Sequence, residues 1–451
     1  MASGQRVAHA PDIRGQLRYS GWLSLCGAFM QLPPPTYLTA DLPGVGGKIK
    51  QHLEDFQVEE VPLYKADGVG THCYLKIEKR GFSTMAAADV LAKALGRKNM
   101  DIGYAGLKDK QAVTTQWFSV EHLDTAMARA MKLPAGMKVV EISRHKNKIK
   151  RGHLAGNRFV IKVRNDEWGR VGVGMSEASR RAQAIIDVLK TQGVPNFFGP
   201  QRFGMRRDNH MLGLALITQD HQAFADRFLG DPDESVDHGP VLHARHLYAK
   251  KNFEGAMQLW PHHLRDERSA LSALIKGKGN AKRAVFAVDL ELKKLMVSAL
   301  QSFLFNRVLE RRLTKMGVVM PGDFCFKHDN GASFLVGEAI EDALKEQPRA
   351  DAHEISPTGP LFGFRMSEPK AVAGQMEAEV LKEFSLTPES FSGAMGAPGG
   401  RRPLRLFAED LTMEAGSDEH GMFLQFEFLL PSGSYATVLL GEVMKEEVTI
   451  D

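Results

Sequence analysis

Residues 103–120 read GYAGLKDKQAVTTQWFSV, and this stretch predicts two apolar strand segments joined by a charged turn. Tyr104 precedes the turn, and Trp117 and Phe118 follow it. β-branched and aromatic residues on both sides of a short polar segment are typical of paired strands. The turn carries a single carboxylate, Asp109, between two lysines.

Two interpretations of this turn are open from its residues alone. Lys108 and Lys110 flank Asp109, and nearby positive charge favours the ionised form of a carboxyl group. An ionised carboxylate on a rigid turn can act as a covalent nucleophile. The same residues also fit a solvated Lys-Asp-Lys tip, because surface charge pairs usually have no catalytic role.

The composition describes an ordinary globular protein. A length of 451 residues predicts two domains, and 43% hydrophobic and 25% charged residues are average values. The three cysteines (Cys26, Cys73 and Cys325) have no zinc-site spacing, and so few suit a reducing compartment. We therefore expect a cytoplasmic protein without a bound metal. The sequence contains no run of eighteen apolar residues, so we expect no membrane span.

The net charge of +4 is small for the length, but its distribution is uneven. Residues 141–170 contain nine Lys/Arg against three Asp/Glu, with Phe159 and Trp168 among them. Such a basic stripe is expected where phosphates bind, although a solvated charged face has the same composition.

Six segments, in one order, resemble the TruD family of pseudouridine synthases, which isomerise a uridine in tRNA. They are KQHLEDFQVE (50–59), GLKDK with QWF (106–118), RHKNK with GNRF (144–159), GVPNFFGPQRFG (193–204), TGPLFG (358–363) and LPSGSYATV (430–438). The resemblance covers about residues 48–445, so it concerns nearly the whole chain.

The resemblance implies an α+β fold. It predicts a discontinuous pseudouridine-synthase catalytic domain, with a mixed, mainly antiparallel sheet flanked by helices, plus an inserted α/β TruD-specific domain. The expected boundaries are a leader at 1–47, a first catalytic part at 48–205, the inserted domain at 206–395 and a second catalytic part at 396–451. Met30 is a candidate for the natural start, because the resemblance begins only after it.

The periodicity predicts individual elements. Alternating apolar residues predict strands at 72–79, 157–164 and 424–430. Apolar residues at helical spacing predict helices at 86–95, 176–190 and 289–315. In the last of these the expected apolar face is Leu292, Leu295, Met296, Ala299, Phe303 and Leu304. Residues 392–402 (SGAMGAPGGRR) are expected to form a flexible linker.

The resemblance also implies roles for single residues. It assigns Asp109 as the nucleophile and leaves open whether the attack falls on C1′ or on the base. Phe56, Asn157, Phe159 and Tyr435 match residues that the family places around the target base. Aromatic rings can stack on an extracted base, and an amide can bond an edge of uracil. The expected RNA contacts are Lys50, Lys108, Lys110, Arg144, Lys146, Lys148 and Arg202.

The leading hypothesis is therefore a tRNA pseudouridine synthase that modifies uridine 13. The isomerisation demands no cofactor, metal or redox change, and we expect tRNA as partner, no membrane association and, by default, a monomer. A non-catalytic RNA-binding or RNA-chaperone module is the second hypothesis, since the basic stripe fits it equally well. A carboxylate-pair glycosidase is a third, but Asp109 has no acidic partner in its motif.

Overall fold

The computed structural model describes residues 31–169, 174–393, 397–446 and 448. The strands are β1 (Phe56–Pro62), β2 (His72–Arg80), β3 (Ile102–Tyr104), β4 (Val113–Glu121), β5 (Met137–His145), β6 (Leu154–Arg164), β7 (Val194–Pro195), β8 (Phe324–Lys327), β9 (Ser333–Leu335), β10 (Ile355–Leu361), β11 (Gly400–Pro403), β12 (Arg405–Leu406), β13 (Glu409–Asp418) and β14 (Gly421–Pro431). The α-helices are α1 (Thr84–Ala94), α2 (Thr125–Ala130), α3 (Met175–Gln192), α4 (Asn209–Ile217), α5 (His221–Leu229), α6 (Gly239–Ala249), α7 (Phe253–Leu259), α8 (Arg265–Lys276), α9 (Ala281–Ala287), α10 (Leu290–Arg312), α11 (Ile340–Asp351), α12 (Ala371–Glu383) and α13 (Ala436–Met444).

The main sheet has the strand order β13-β14-β6-β1-β4-β2-β5, with β3 paired to β4. Strands β1 and β4 run parallel, whereas the other pairs in this sheet are antiparallel. The predicted mixed, mainly antiparallel sheet is confirmed. The alternation in β6 is also confirmed, because Phe159, Ile161 and Val163 are all buried on one face.

Both ends of the chain contribute to this sheet. The apolar residues of β14 (Leu424, Phe426, Phe428 and Leu430) are buried, and β14 pairs with β6 over nine residues. A strand from the C-terminal part of the chain thus pairs with a strand from the N-terminal part. Since β6 also pairs with β1, the first and last parts of the chain share one hydrophobic core.

Helices α1 and α3 flank the sheet where the sequence predicts them. The Ser83 hydroxyl caps α1 by accepting a hydrogen bond from the backbone N–H of Ala86 at 3.2 Å. Helix α3 buries Ala182, Ile185 and Leu189 against the core that contains β6 and β14. The apolar face of each helix therefore covers part of the sheet.

The middle of the chain forms a helical region and a small second sheet. Helices α4–α9 precede the long helix α10, and strands β8–β11 form a sheet of order β11-β10-β8-β9. The Asp289 carboxylate caps α10 by accepting from the N–H of Glu291 at 2.8 Å. The predicted apolar face of α10 is wrong at Leu295, which is exposed, because the helix turns this position away from the core.

Two segments predicted to be loose are partly ordered. In the leader, the buried carboxylate of Glu442 accepts hydrogen bonds from the N–H groups of Leu38 and Thr39, at 2.7 and 3.1 Å. In the linker, residues 400–403 form β11, which pairs with β10. The candidate start Met30 lies outside the described residues, as do 394–396. Within the described ranges, no helix combines the length and apolar character that crossing a membrane requires.

Candidate active site

The turn that carries Asp109 connects β3 to β4 and is braced by side chains from two elements, β4 and α1. The Gln116 side-chain amide donates to the carbonyl of Gly106 at 2.8 Å. The Thr84 hydroxyl donates to the Gln116 carbonyl oxygen at 2.9 Å and accepts from the N–H of Lys108 at 2.8 Å. This closed set of hydrogen bonds holds the backbone on both sides of Leu107.

Asp109 forms an ion pair with Lys50, which comes from the segment before β1. The Lys50 Nζ donates to Asp109 Oδ2 at 2.6 Å, and it lies 4.5 Å above the centre of the Phe56 ring. The lysine side chain is 5% exposed and the aspartate side chain 36%. The carboxylate can therefore be reached from solvent, whereas its counter-ion is held inside.

Lys50 also has an uncommon backbone conformation. Its φ is 56°, in the left-handed region that residues other than glycine rarely adopt. Such conformations persist only where the surroundings enforce them, and they are concentrated at functional sites. In this structure the Lys50 amine is buried against Asp109, and the predicted RNA contact of Lys50 stays a prediction.

Lys108 also forms an ion pair. Its Nζ donates to Glu60 Oε2 at 2.8 Å, and both side chains are buried. The second oxygen of Glu60 accepts from the N–H of Trp117 at 3.3 Å. The structure thus places the Lys108 charge inside the protein, against Glu60, and a phosphate contact by Lys108 stays a prediction. Lys110, on the other side of Asp109, is exposed.

The two phenylalanines expected around the target base lie in the core. Phe56 is 3% exposed and Phe159 is 8% exposed. Phe159 stacks on Phe428 with ring centres 5.4 Å apart, and Phe56 meets Phe159 edge-on at 6.2 Å. Both rings are therefore packed inside the protein in this structure, and their predicted place around the target base stays a prediction.

Asn157 has a free hydrogen-bonding atom in the interior. It lies on β6 opposite Glu60 of β1 and Leu430 of β14. Its Oδ1 is buried and has no partner among the residues that the structure describes. Since buried polar atoms are nearly always bonded, an unsatisfied acceptor at this position points to a ligand with a donor group.

Tyr435 directly precedes α13 and is half-buried beside the loop at 193–204. Its ring centre lies 6.0 Å from that of Phe198. The Arg402 guanidinium lies 4.2 Å above the Phe198 ring and donates to the carbonyls of Gly433 and Asn196, at 3.0 and 3.2 Å. Arg402 thereby joins the loop before Tyr435 to the loop that contains Phe198.

Arg202 anchors the same loop to α10. Its Nε donates to the Ser302 hydroxyl at 3.1 Å, and a terminal nitrogen contacts Ser298. Burial raises the pKa of the Tyr435 phenol, and the positive charges of Arg202 and Arg402 partly oppose this rise. The bonds of Arg202 to α10 give this residue a structural role. Its contact with RNA stays a prediction.

The basic stripe divides into exposed and occupied cations. Arg144 donates to the backbone carbonyls of Gly70 and Leu123, and Lys148 donates to a backbone carbonyl at 2.8 Å. Lys146 is exposed. The exposed Lys146 is therefore available for the predicted RNA contact. Arg144 and Lys148 already donate hydrogen bonds to the protein itself.

Three further cations of the stripe lie on β6 and form ion pairs. Arg158 pairs with Asp410 at 2.9 Å, and Lys162 and Arg164 both pair with Asp418, at 2.8 and 2.6 Å. The excess of positive charge in residues 141–170 is thus partly neutralised by acids from β13, which are distant in the sequence.

Three contacts of this site are not evident from the sequence. The Lys50–Asp109 pair spans 59 residues, and the contacts of Glu60 and Arg402 are equally non-local. Glu60 has a weak local signal, because an acid at a buried position of an alternating strand needs a partner. Arg402 has none, since it lies in a stretch that resembles a linker.

The family of the chain follows from comparisons with known proteins. A family model described as tRNA pseudouridine synthase D (TruD) matches residues 35–443. The chain is 43% identical over 411 residues to the tRNA pseudouridine synthase D of Geobacter sulfurreducens, with 91% of this chain and 96% of that protein covered. It is 44% identical to that of Geobacter metallireducens, with 91% and 97% covered.

The fold agrees with a solved structure as well. The crystal structure of the TruD protein of Methanosarcina mazei superposes with a TM-score of 0.79 at 27% identity, and the match covers 93% of this chain and 99% of that one. Sequence and structure therefore lead to one conclusion: the chain belongs to the TruD family.

Proposed function

We propose that this protein isomerises uridine to pseudouridine in tRNA, at uridine 13, with Asp109 as the nucleophile. The observation that carries the proposal is the accessible Asp109 carboxylate, ion-paired at 2.6 Å to a buried lysine on a braced turn. Membership of the TruD family supports the substrate class. The position in the tRNA and the covalent role of Asp109 rest on the motif resemblance.

The reaction breaks the ribose C1′–N1 bond, turns the uracil and joins C1′ to its C5. The C5 proton is lost and N1 gains one, so the atoms balance without an oxidant or reductant. In this proposal the Asp109 carboxylate attacks either C1′ or the base and later leaves. Lys50 orients the carboxylate and supplies fixed positive charge beside it, and this charge is little screened because the lysine side chain is 5% exposed.

The target base must leave its stack before Asp109 can reach it. In this proposal the unsatisfied Oδ1 of Asn157 accepts a hydrogen bond from the N3–H of uracil. Phe56 and Phe159 form the apolar floor beneath this position, and the half-buried Tyr435 supplies an aromatic edge. Lys110 and Lys146, which are exposed, are the best candidates for contacts with phosphate.

We further propose that residues 48–205 and 396–451 form one catalytic domain and that 206–395 form an inserted domain. The sharing of one sheet and one core by β1–β6, β13 and β14 supports this division. In this arrangement the loop at 193–204, anchored to α10 by Arg202, lies where the two domains meet.

The decisive experiment compares Asp109→Asn with Glu59→Gln. Glu59 also pairs with a lysine at 2.6 Å, so its variant removes an equivalent charge elsewhere on the sheet. We expect Asp109→Asn to abolish pseudouridine formation, measured by carbodiimide primer extension, and to retain tRNA binding and the far-UV circular dichroism spectrum. Glu59→Gln should retain activity.

Two outcomes would contradict parts of the proposal. Turnover by pure Asp109→Asn protein would remove Asp109 as the nucleophile. Modification of a tRNA in which uridine 13 is replaced by cytidine would refute the proposed position. If the unaltered protein binds tRNA but forms no pseudouridine, the RNA-binding hypothesis is correct.

A further inference from the structure

Leu107 is an exposed apolar residue in the turn that carries Asp109. Its exposed fraction is 60%, although the residues around it are well ordered by hydrogen bonds. Single exposed leucines are common on protein surfaces, so exposure alone carries no conclusion. The position and the rigidity of Leu107 set it apart from an ordinary surface residue.

The backbone on both sides of Leu107 is fixed. The carbonyl of Gly106 is held by the Gln116 amide, and the N–H of Lys108 is held by the Thr84 hydroxyl. The Lys108 side chain is also fixed, because its amine pairs with Glu60. The peptide therefore cannot turn to fold the Leu107 side chain onto the core, and the side chain stays directed to solvent.

Leu107 is close to the proposed nucleophile. Two residues of chain span at most about 7 Å, so the Cα atoms of Leu107 and Asp109 cannot be further apart. Any uridine bound at the Asp109 carboxylate brings its neighbouring nucleotides to this part of the turn. A leucine side chain offers no hydrogen bond to a phosphate, so at this place it is suited to pack against a base rather than against the backbone of the RNA.

We infer that Leu107 is a wedge that packs against the nucleotide next to the target uridine and fills the gap left in the stack. The inference rests on the proposed function of the site. Apolar side chains inserted between bases stabilise unstacked nucleic acid, and leucine is among the residues that proteins use for this purpose. Leu107 would thus be a positioning residue that favours the extracted base and leaves the chemistry to Asp109.

The test compares Leu107→Ala with Leu107→Met and Leu344→Ala. Leu344 lies on α11, away from the turn, and is 63% exposed. It is therefore a leucine with nearly the same exposure as Leu107. Each protein is assayed on unmodified tRNA and on a tRNA with an abasic site next to the target, where less stacking has to be broken. The readout is kcat/KM for pseudouridine formation.

We expect Leu107→Ala to lower kcat/KM roughly ten- to a hundredfold on the unmodified tRNA, the range expected for losing most of a buried leucine side chain. The loss should be much smaller on the abasic tRNA. Leu107→Met should retain most activity, because methionine has a similar apolar volume. Leu344→Ala should equal the unaltered protein on both substrates.

A second readout is independent of turnover. The proteins carry Asp109→Asn, and the tRNA carries 2-aminopurine next to the target, whose fluorescence rises when stacking is lost. Binding should raise the fluorescence with Leu107 present and raise it less with Leu107→Ala. Equal fluorescence in both proteins, or an equal loss of kcat/KM on both tRNAs, would overturn the inference. Failure of the unaltered protein to form pseudouridine would instead refute the proposed function.

Discussion

At the scale of single residues, the partner of Asp109 differs from the one that the motif suggests. Lys108 and Lys110 flank Asp109 in the chain, yet Lys50 makes the contact with its carboxylate. Lys108 instead neutralises Glu60. The GLKDK motif therefore combines a candidate nucleophile with a lysine that supports the turn, and the sequence alone does not show which charge each lysine meets.

Lys50→Met should lower kcat roughly 10²-fold, because removal of one preorganised electrostatic group at a reacting centre typically has an effect of this size. The KM for tRNA should change little, since the Lys50 amine is buried. Single-turnover kinetics and filter binding measure the two effects. Lys76→Met, which removes the lysine of the equally short Glu59 pair, is the control. Weaker tRNA binding by Lys50→Met with unchanged kcat would instead show that Lys50 contacts RNA.

The buried Lys79 of β2 should make the stability of the protein depend on pH. The side chain is fully buried, and burial lowers its pKa from 10.5 to about 8. Between these two values the unfolded chain binds more protons than the folded protein, so this group makes the free energy of unfolding rise with pH. Below pH 8 the amine is charged in both states, and the full cost of burying the charge remains.

Lys79→Met should therefore remove a rise of at most about 1.4 kcal/mol per pH unit between pH 8 and 10.5. Urea denaturation at pH 8, 9 and 10 measures this rise as a difference from the unaltered protein. The exposed Lys93→Met serves as the control for general effects of charge. Parallel stability curves for Lys79→Met and the unaltered protein would contradict the prediction.

At the scale of elements, the turn between β3 and β4 depends on contacts from α1 and β1. Thr84 of α1 and Glu60 of β1 hold the backbone and the side chain of Lys108, respectively. The turn is therefore positioned by the sheet and the helix beside it, and its own residues determine the conformation only in part.

Lys108→Met should destabilise the protein by about 3–5 kcal/mol, because it leaves the Glu60 carboxylate buried without a counter-ion. The double variant Glu60→Gln/Lys108→Met should recover part of this loss, since it removes both charges. Urea denaturation of the single and double variants measures the coupling. If Lys108→Met keeps its stability and loses affinity for tRNA, the lysine contacts phosphate after all.

At the scale of the whole molecule, the sheet joins the two ends of the chain through β6 and β14. Gly156 lies at the start of this pairing, where a Cβ atom would be 2.3 Å from the carbonyl oxygen of Leu430. A backbone atom cannot move aside as a flexible side chain can. The close approach of the two strands at this point therefore requires glycine.

Gly156→Ala should destabilise the protein by roughly 1–3 kcal/mol, the range for inserting atoms into a well-packed interior. Because Asn157 is the next residue, activity should fall together with stability. Gly400→Ala is the matched control in a strand, since a Cβ there has no atom within 4 Å. Thermal unfolding and pseudouridine formation are the measurements, and a Gly156→Ala protein as stable as the control would contradict the close approach.

The sequence by itself determined the family, several of the elements and the identity of the candidate nucleophile. Alternation in 157–164 and helical spacing in 176–190 are local properties, because burying one face of a strand or helix requires apolar residues at a fixed period. The six ordered motifs likewise need no knowledge of contacts. For this reason the predictions for β6, α3 and β14 agree with the structure.

Only the tertiary structure decided which charges meet. Lys50 reaches Asp109 across 59 residues, Asp418 neutralises Lys162 and Arg164, and Glu442 orders Leu38. A charged side chain shows no periodicity that reveals its partner, and the energy of an ion pair depends on distance and burial, which the fold sets. The role of each cation around the site was therefore decided by the folding of distant segments onto one sheet.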